Sequence, residues 1–280
     1  MDTNTFNNLI SQTWPDLHAA STLGGGTFGT VYACTKTDAV TGVTQKEAVK
    51  VVRVDFTPED RANAEEEGIP FADYYRAVKE KRLQEIRWMV ALKSPHIVHI
   101  NGYTAIEEPD HSALYILIRM DCLTALDQLR PAHLDDTPEQ AAALAEKVAL
   151  DICDALRVCH ENGICHRDIK PANILCGATG DFYLGDFGVS QYTAAPDATL
   201  TSSGTARYAA PEQLTGQADP RSDLYSLGLV LYELTNHWRG PFLPAYPAKL
   251  TAEDRYNAQC KRLAGGALPL SLIHISEPTR

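Results

Sequence analysis

Val31 to Thr35 and Glu47 to Val54 carry β-branched residues with apolar positions at every second place, the period of strands, and Asp38 to Gln45 with Gly42 predicts the turn between them. Residues 16–54 therefore read as strand, glycine turn, then strands. The acidic stretch Asp55 to Pro70, with Glu65-Glu66-Glu67 before Gly68, reads as an inserted loop whose charges face water. From Phe71 to Leu92 the spacing of Val78, Leu83, Ile86, Met89 and Val90 predicts an amphipathic helix, stopped at Ser94-Pro95. Two more strands are expected around Ile97 to Tyr103 and Leu114 to Met120, with the loop Glu107 to Ser112 between them.

After Met120 the pattern turns helical. Thr137-Pro138-Glu139-Gln140 is a capping box with proline at the first helical position, and Leu144, Val148, Ile152, Leu156 and Cys159 continue one face toward Gly163, which suits a C-terminal cap. Leu224 to Leu234 is apolar nearly all round and predicts a helix buried in a large lobe. The expected division is an N-terminal extension at 1–15, a small lobe at 16–120, a second lobe at 121–269 and a tail at 270–280, with the boundary between lobes near Met120 to Thr124. The fold class is α+β.

Composition narrows the functions on offer. Acids exceed bases, giving a net charge of −11 and a pI near 5.2, which argues against a dedicated nucleic-acid binder. Leu227 to Leu234 is far shorter than the ~20 apolar residues of a membrane span, and the N-terminus lacks a basic start and apolar run, so the expectation is a cytoplasmic chain with no span in this segment. Seven cysteines without a CxxC pair fit free thiols, and Cys159-His160 with Cys165-His166 makes a weak zinc pattern. His96 and His99 read as ordinary loop or strand residues.

Three stretches carry chemistry. In Leu23-Gly24-Gly25-Gly26-Thr27-Phe28-Gly29-Thr30-Val31 the bare backbone suits close approach to phosphates, and a strand on both sides, with no helix following, makes a flap over a nucleotide. Lys50 sits in the otherwise apolar strand Ala48-Val49-Lys50-Val51, where an ammonium needs a partner; Glu85 on the following helix is the natural counter-ion. Third comes His166-Arg167-Asp168-Ile169-Lys170-Pro171-Ala172-Asn173, then Asp186-Phe187-Gly188 and Ala210-Pro211-Glu212. Acids and an amide in a short loop-rich segment offer oxygen ligands for a hard cation.

With these blocks in this order the chain resembles the eukaryotic-type protein kinase family over about Leu23 to Pro269. The resemblance implies a bilobal fold, with a small antiparallel β-sheet lobe carrying one helix and a mainly helical C-lobe. It also implies transfer of the ATP γ-phosphate to Ser or Thr hydroxyls of proteins. By resemblance Asp168 accepts the substrate proton, Lys170 stabilises the moving phosphoryl group, and Asn173 and Asp186 bind Mg²⁺, or Mn²⁺ in its place. Lys50, paired with Glu85, holds the phosphates. Leu23, Gly24, Gly26, Gly29, Val31, Ala48, Ile118, Arg119, Met120 and Leu175 would form the ATP site, with Ile118 as gatekeeper and Arg119 to Asp121 as hinge. Met89, Ile100, His166 and Phe187 would stack internally, anchored by Asp223.

Lys170 and Gly204-Thr205 are similar to the serine/threonine group, and Arg167 beside Asp168 resembles kinases switched on by activation-loop phosphorylation, with Thr199, Thr201, Ser202 and Ser203 as acceptors. Self-association for autophosphorylation would follow. Tyr74-Tyr75, Ser94-Pro95-His96-Ile97-Val98 and Arg239-Gly240-Pro241-Phe242 look like bacterial members. Competing readings are a catalytically inactive, nucleotide-binding scaffold and a small-molecule kinase of the same fold. No residue after Leu263 resembles the family's arginine that pairs with the Ala-Pro-Glu carboxylate, so Glu212 is expected to be a largely buried carboxylate without its partner. Leu270 to Arg280 resembles a translated sequencing adapter. The expectation is a truncated C-lobe, the natural protein continuing further and carrying a membrane anchor in some relatives.

Overall fold

The computed structural model describes residues 3–26, 29–38, 40–187, 207–217, 219–266 and 269. The adapter-like tail, the acceptors Thr199, Thr201, Ser202 and Ser203, and Gly188, Gly204 and Thr205 lie outside the described residues. The chain divides into two units, one built from residues 1–92 and 98–122, the other from 93–97 and 123–187 with the C-terminal part of the chain.

In the first unit, strands β1 (Leu17–Gly26), β2 (Gly29–Thr37), β3 (Thr44–Asp55), β4 (Ile100–Glu107) and β5 (Ala113–Asp121) form an antiparallel sheet in the order β1-β2-β3-β5-β4. The two-residue period sorts side chains between its faces. Val49, Val51 and Leu117 join Tyr32 and Cys34 in one core cluster, whereas Leu114, Ile116 and Ile118 pack in a second with Ile86 and Tyr75 of α3 (Phe71–Ala91). Ile86 is fully buried as the spacing predicts, but Val90 is 45% exposed.

The segment expected to be an extension instead contributes to the first core. Helix α1 (Thr3–Ile10) buries Phe6 and Ile10 completely, and the Phe6 ring stacks on Tyr32 at 3.9 Å. The acidic stretch after β3 is not all loop. Helix α2 (Pro58–Glu66) starts at Thr57, whose hydroxyl accepts from Asp60 N at 3.2 Å while Asp60 Oδ2 accepts from Thr57 N at 2.7 Å. This capping box satisfies orphan amides at the helix start, and Glu65, Glu66 and Glu67 remain exposed as expected. Strand β4 starts three residues later than its expected start at Ile97. Ile97 forms an isolated parallel bridge with Leu184, and His96 O accepts from Leu184 N at 2.8 Å, which draws residues 93–97 into the second unit.

The second unit begins with β6 (Thr124–Ala125) and the short α4 (Leu126–Leu129). Strands β7 (Ile174–Cys176) and β8 (Phe182–Leu184) complete a sheet in the order β6-β7-β8. Helix α5 (Pro138–Glu161) carries the anticipated capping box at Thr137, and Gly163 beyond its end takes φ +72°. The buried Asp151 of α5 accepts from Phe182 N at 2.8 Å and fixes β8 against the helix. Helix α6 (Pro220–Leu234) begins four residues before the expected Leu224, capped by Asp219, and Leu224 itself is 49% exposed. Helix α7 (Ala252–Leu263) follows, capped by Thr251 and Asp254.

Glu212 corrects another expectation. It is only half-buried, and its Oε1 accepts from the Ser222 hydroxyl at 2.7 Å. Among the described residues the deeply buried glutamate of this unit is Glu233 on α6, which ion-pairs with Arg207 and accepts from the Tyr208 hydroxyl at 2.9 Å. No buried charge is stranded at Glu212, and a half-buried, hydrogen-bonded carboxylate carries little of the desolvation cost of an unpaired buried one.

Candidate active site

In the first unit the sheet register gathers most of the expected nucleotide residues. Val31 lies opposite Lys50 and Lys50 opposite Ile118, so three adjacent strands present them in one row on one face. Ala48, two residues along and on the same face, lies opposite Met120. Gly26 and Gly29 pair at the end of the β1–β2 hairpin. Gly29 has φ +121°, and a Cβ there would fall 2.2 Å from Val51 O, so only glycine permits β2 to lie this close to β3. Gly24 has open space where a Cβ would be, and Leu23 lies 42% exposed at the bulge between Thr22 and Gly24.

Lys50 is 5% exposed on β3 and Glu85 is 2% exposed on α3. The expected Lys50–Glu85 pair is not among the described ion pairs. Glu85 Oε2 instead takes Arg82 Nη1 at 3.4 Å, and its Oε1 is buried with no hydrogen-bond partner. Burial pushes the Glu85 carboxyl above the ordinary glutamate value, only partly offset by Arg82. Arg119 is tied by its guanidinium to Glu47, with Nη2 donating to Oε1 at 2.7 Å, and also lies over the Trp14 ring. That pairing holds Arg119 above its ordinary value, so its side chain braces β3 and β5. Sequence reasoning missed this bridge, although two oppositely charged residues in facing strands were its only signal.

In the second unit the loop 166–173 is tied at every turn. The buried Asp223 accepts from His166 N at 2.8 Å, from Arg167 N at 2.7 Å, and pairs with His160 Nε2 at 2.9 Å. Arg167 has φ +64°, held there by Asp223 on its N–H and by Gln213 Nε2 donating to its carbonyl at 3.0 Å. His166 Nε2 lies 3.0 Å from Gly185 O, and its ring meets Phe187 edge-on at 4.8 Å. Both Lys170 Nζ, at 2.8 Å, and Asn173 Nδ2, at 2.9 Å, donate to Asp168 Oδ2. Asp168 Oδ1 carries no hydrogen bond among the described residues. Asn173 Nδ2 also donates to Asp168 O at 2.8 Å, which leaves Oδ1 as the accepting end of the amide.

Asn173 O accepts from Gly185 N at 2.9 Å, and the next residue, Asp186, is half-buried with φ +54°. Asn173 and Asp186 therefore sit on two segments hydrogen-bonded together, one amide oxygen and one carboxylate. This donor set fits Mg²⁺, which takes one or two protein oxygens and completes its shell with water and substrate phosphates. Leu175, half-buried on β7, follows two residues after Asn173. Among the described residues no cluster of three His, Cys, Asp or Glu could hold a metal, so the Cys159-His160 and Cys165-His166 pattern is not gathered into one. Burial pushes the Cys159 thiol up to about 12.

Residues 17–246 match the family model described as protein kinase domain. The chain belongs to the protein kinase domain family. Members of this family use ATP and a divalent metal ion. Among curated relatives, the "Serine/threonine-protein kinases drp72" of Corynebacterium efficiens is 32% identical over 249 residues, covering 86% of this chain and 42% of that protein. The serine/threonine-protein kinase PknB of Mycobacterium tuberculosis is 38% identical over 159 residues, 54% of this chain and 24% of its own length. That of Mycobacterium leprae is 39% identical over 158 residues. The chain thus spans less than half the length of these relatives. Among the described residues no helix of this kinase domain is long and apolar enough to cross a membrane.

Proposed function

We propose that the chain is an ATP- and Mg²⁺-dependent serine/threonine-protein kinase acting on protein substrates. The observation that carries this is the arrangement at Asp168. Lys170 and Asn173 both bind Oδ2 and orient the carboxylate, while Oδ1 remains available to accept a proton from a substrate hydroxyl. As the hydroxyl oxygen bonds to the γ-phosphorus, the bond from that phosphorus to the bridging oxygen of ADP breaks, and the hydroxyl proton passes to Asp168. Phosphoryl transfer through a loose transition state demands positioning and positive charge more than covalent chemistry. Lys170 supplies one such charge beside Asp168, and Lys50, in its row with Val31 and Ile118, supplies another to the phosphates. Asn173 and Asp186 would hold Mg²⁺, which when bound neutralises phosphate charge.

The names of the relatives support the serine/threonine assignment, as does the set Lys50, Glu85, Asp168, Asn173 and Asp186, which an inactive scaffold has no chemical need to keep together. The test is transfer of labelled phosphate from ATP·Mg²⁺ to a serine- and threonine-containing protein, by the native chain and by Asp168→Asn. Transfer should fall by roughly 10²–10⁴ in the variant while nucleotide binding persists. Equal transfer by both would overturn the reading.

A further inference from the structure

Trp14 lies in the turn between α1 and β1 and is fixed on both sides of its backbone, its N–H donating to Ile10 O at 2.7 Å and its carbonyl accepting from Leu17 N at 3.1 Å. Asn7 Oδ1 accepts from Ala19 N at 2.9 Å, which fastens α1 to β1. The indole is half-buried and packs against the first core cluster. It covers one particular spot on the sheet. A Cβ on Gly102 would lie 3.7 Å from its Cζ2, and the Arg119 guanidinium carbon lies 5.9 Å from the ring centroid. Gly102 and Arg119 are register partners on β4 and β5, and the ladder slips beside them, since Ile100 pairs with Met120 and Asn101 is left between. Trp14 therefore lies over a bulge, where the ladder is locally broken.

Successive residues of β5 point to opposite faces. Ile118 and Met120 share the face of Val31, Lys50 and Ala48, whereas Arg119 between them shares the other face with Val49 and Glu47. The Arg119 side chain thus turns away from the nucleotide row and acts from behind it. Two of its nitrogens are taken by Glu47, and the indole lies against the same planar group. Asp16, two residues after Trp14, pairs with Lys36 at 2.7 Å. A hydrogen bond from Lys36 and, to a lesser degree, the charge of Arg119 hold the Asp16 carboxyl below its ordinary value, so the segment after Trp14 carries a charge that also favours this guanidinium. The end of β5, weakly supported by β4 at the bulge, gains its support from a guanidinium clamped between a carboxylate and an indole.

We propose that Trp14 is a positioning residue for nucleotide binding, holding the end of β5 through Arg119 so that Ile118 and Met120 meet the nucleotide base. The inference rests on the kinase reading for the identity of the ligand. Its test compares the full native chain with Trp14→Leu, Trp14→Phe, Arg119→Lys and Ile10→Val, the last a loss from the same core without a contact at Arg119. Calorimetric titration with ATP·Mg²⁺ gives Kd, and transfer of labelled phosphate gives kcat and KM separately. Trp14→Leu should raise both Kd and KM for ATP about fivefold with kcat little changed, whereas simple loss of folded chain would lower kcat and leave KM alone. Trp14→Phe keeps a ring against the guanidinium and should recover most of the affinity. Arg119→Lys keeps the charge without the planar fork and should match Trp14→Leu. Ile10→Val should bind ATP as the native chain does. Native affinity in both Trp14→Leu and Arg119→Lys, or an equal rise of Kd in Ile10→Val, would overturn the proposal. A native chain that binds no ATP would overturn the kinase reading and this inference with it, while one that binds ATP indifferently to Trp14 counts against the inference alone.

Discussion

Glu85 on α3 and Asp223 on α6 are 2% and 1% exposed, and both are carboxylates deep in their units. Asp223 accepts two backbone amides and a histidine nitrogen, all within 3 Å. Glu85 has one arginine contact at 3.4 Å and an oxygen with no hydrogen bond. Burying a carboxylate is costly unless its lone pairs are used, so one is a structural clamp and the other a group held in readiness. The loop 166–173 is held in place by Asp223. Glu85 keeps one buried oxygen that accepts no hydrogen bond.

The sharpest way to break this contrast is Asp223→Ala. It leaves the buried amide of His166 and the part-buried amide of Arg167 without their acceptor, and the second unit should lose about 3–5 kcal/mol, measured as a lower urea midpoint. With total stabilities of about 5–15 kcal/mol this approaches unfolding. A small loss would mean that water replaces the carboxylate and that the clamp is not structural.

Glu85→Gln should behave in the opposite way. Burial raises the folded carboxyl above the ordinary 4.5, so the folded chain binds this proton more tightly than the unfolded chain. Its effect on stability is favourable at low pH and is lost as pH rises through the raised value. At pH 7 Glu85→Gln should therefore melt at the same temperature as the native chain or higher, with the difference vanishing toward pH 4.5, while phosphate transfer falls about 10²-fold through misplaced phosphate contacts. A lower melting temperature at pH 7 would show that Glu85 is already a clamp like Asp223.

The smallest effect comes from the helix caps. Thr57→Ala and Thr137→Ala should each cost about 1 kcal/mol. The loss at Thr57 should appear as faster amide exchange within α2, whose only buried residue is Ala64. The loss at Thr137 should lower the unfolding midpoint of the second unit, because α5 buries eight residues. Equal effects on global unfolding would mean that α2 is more deeply integrated than its packing indicates.

The same pair of helices shows how legible the chain is. Thr137-Pro138-Glu139-Gln140 reads as a helix start, and Thr57-Pro58-Glu59-Asp60 has the same form with Asp in the third place. The second reads as loop because a run of charged residues follows it, and α2 buries too little apolar surface to leave a periodic stripe. Helix α1 was missed for the converse reason: Phe6 and Ile10 are one turn apart, but eight residues are too few for a pattern to stand out. The candidate site was legible in its local parts. The spacing from His166 to Asn173, the glycine run and Lys50 all announce their chemistry. Which partners they take was less so, since Glu85 meets Arg82 three residues before it, and Glu212 meets Ser222.

Sequence alone determined the two-residue period that sorts β3 and β5 between faces, the capping box that starts α5, and the loop that carries Asp168, Lys170 and Asn173. These follow from short-range geometry, where a residue's neighbours along the chain settle what it can do. Tertiary structure decided which buried charges are satisfied. Asp223 clamps a loop 57 residues before it, and Glu233 pairs with Arg207 26 residues away. Such pairings depend on which helix faces meet and on every buried lone pair seeking a donor, and no spacing within the chain encodes that.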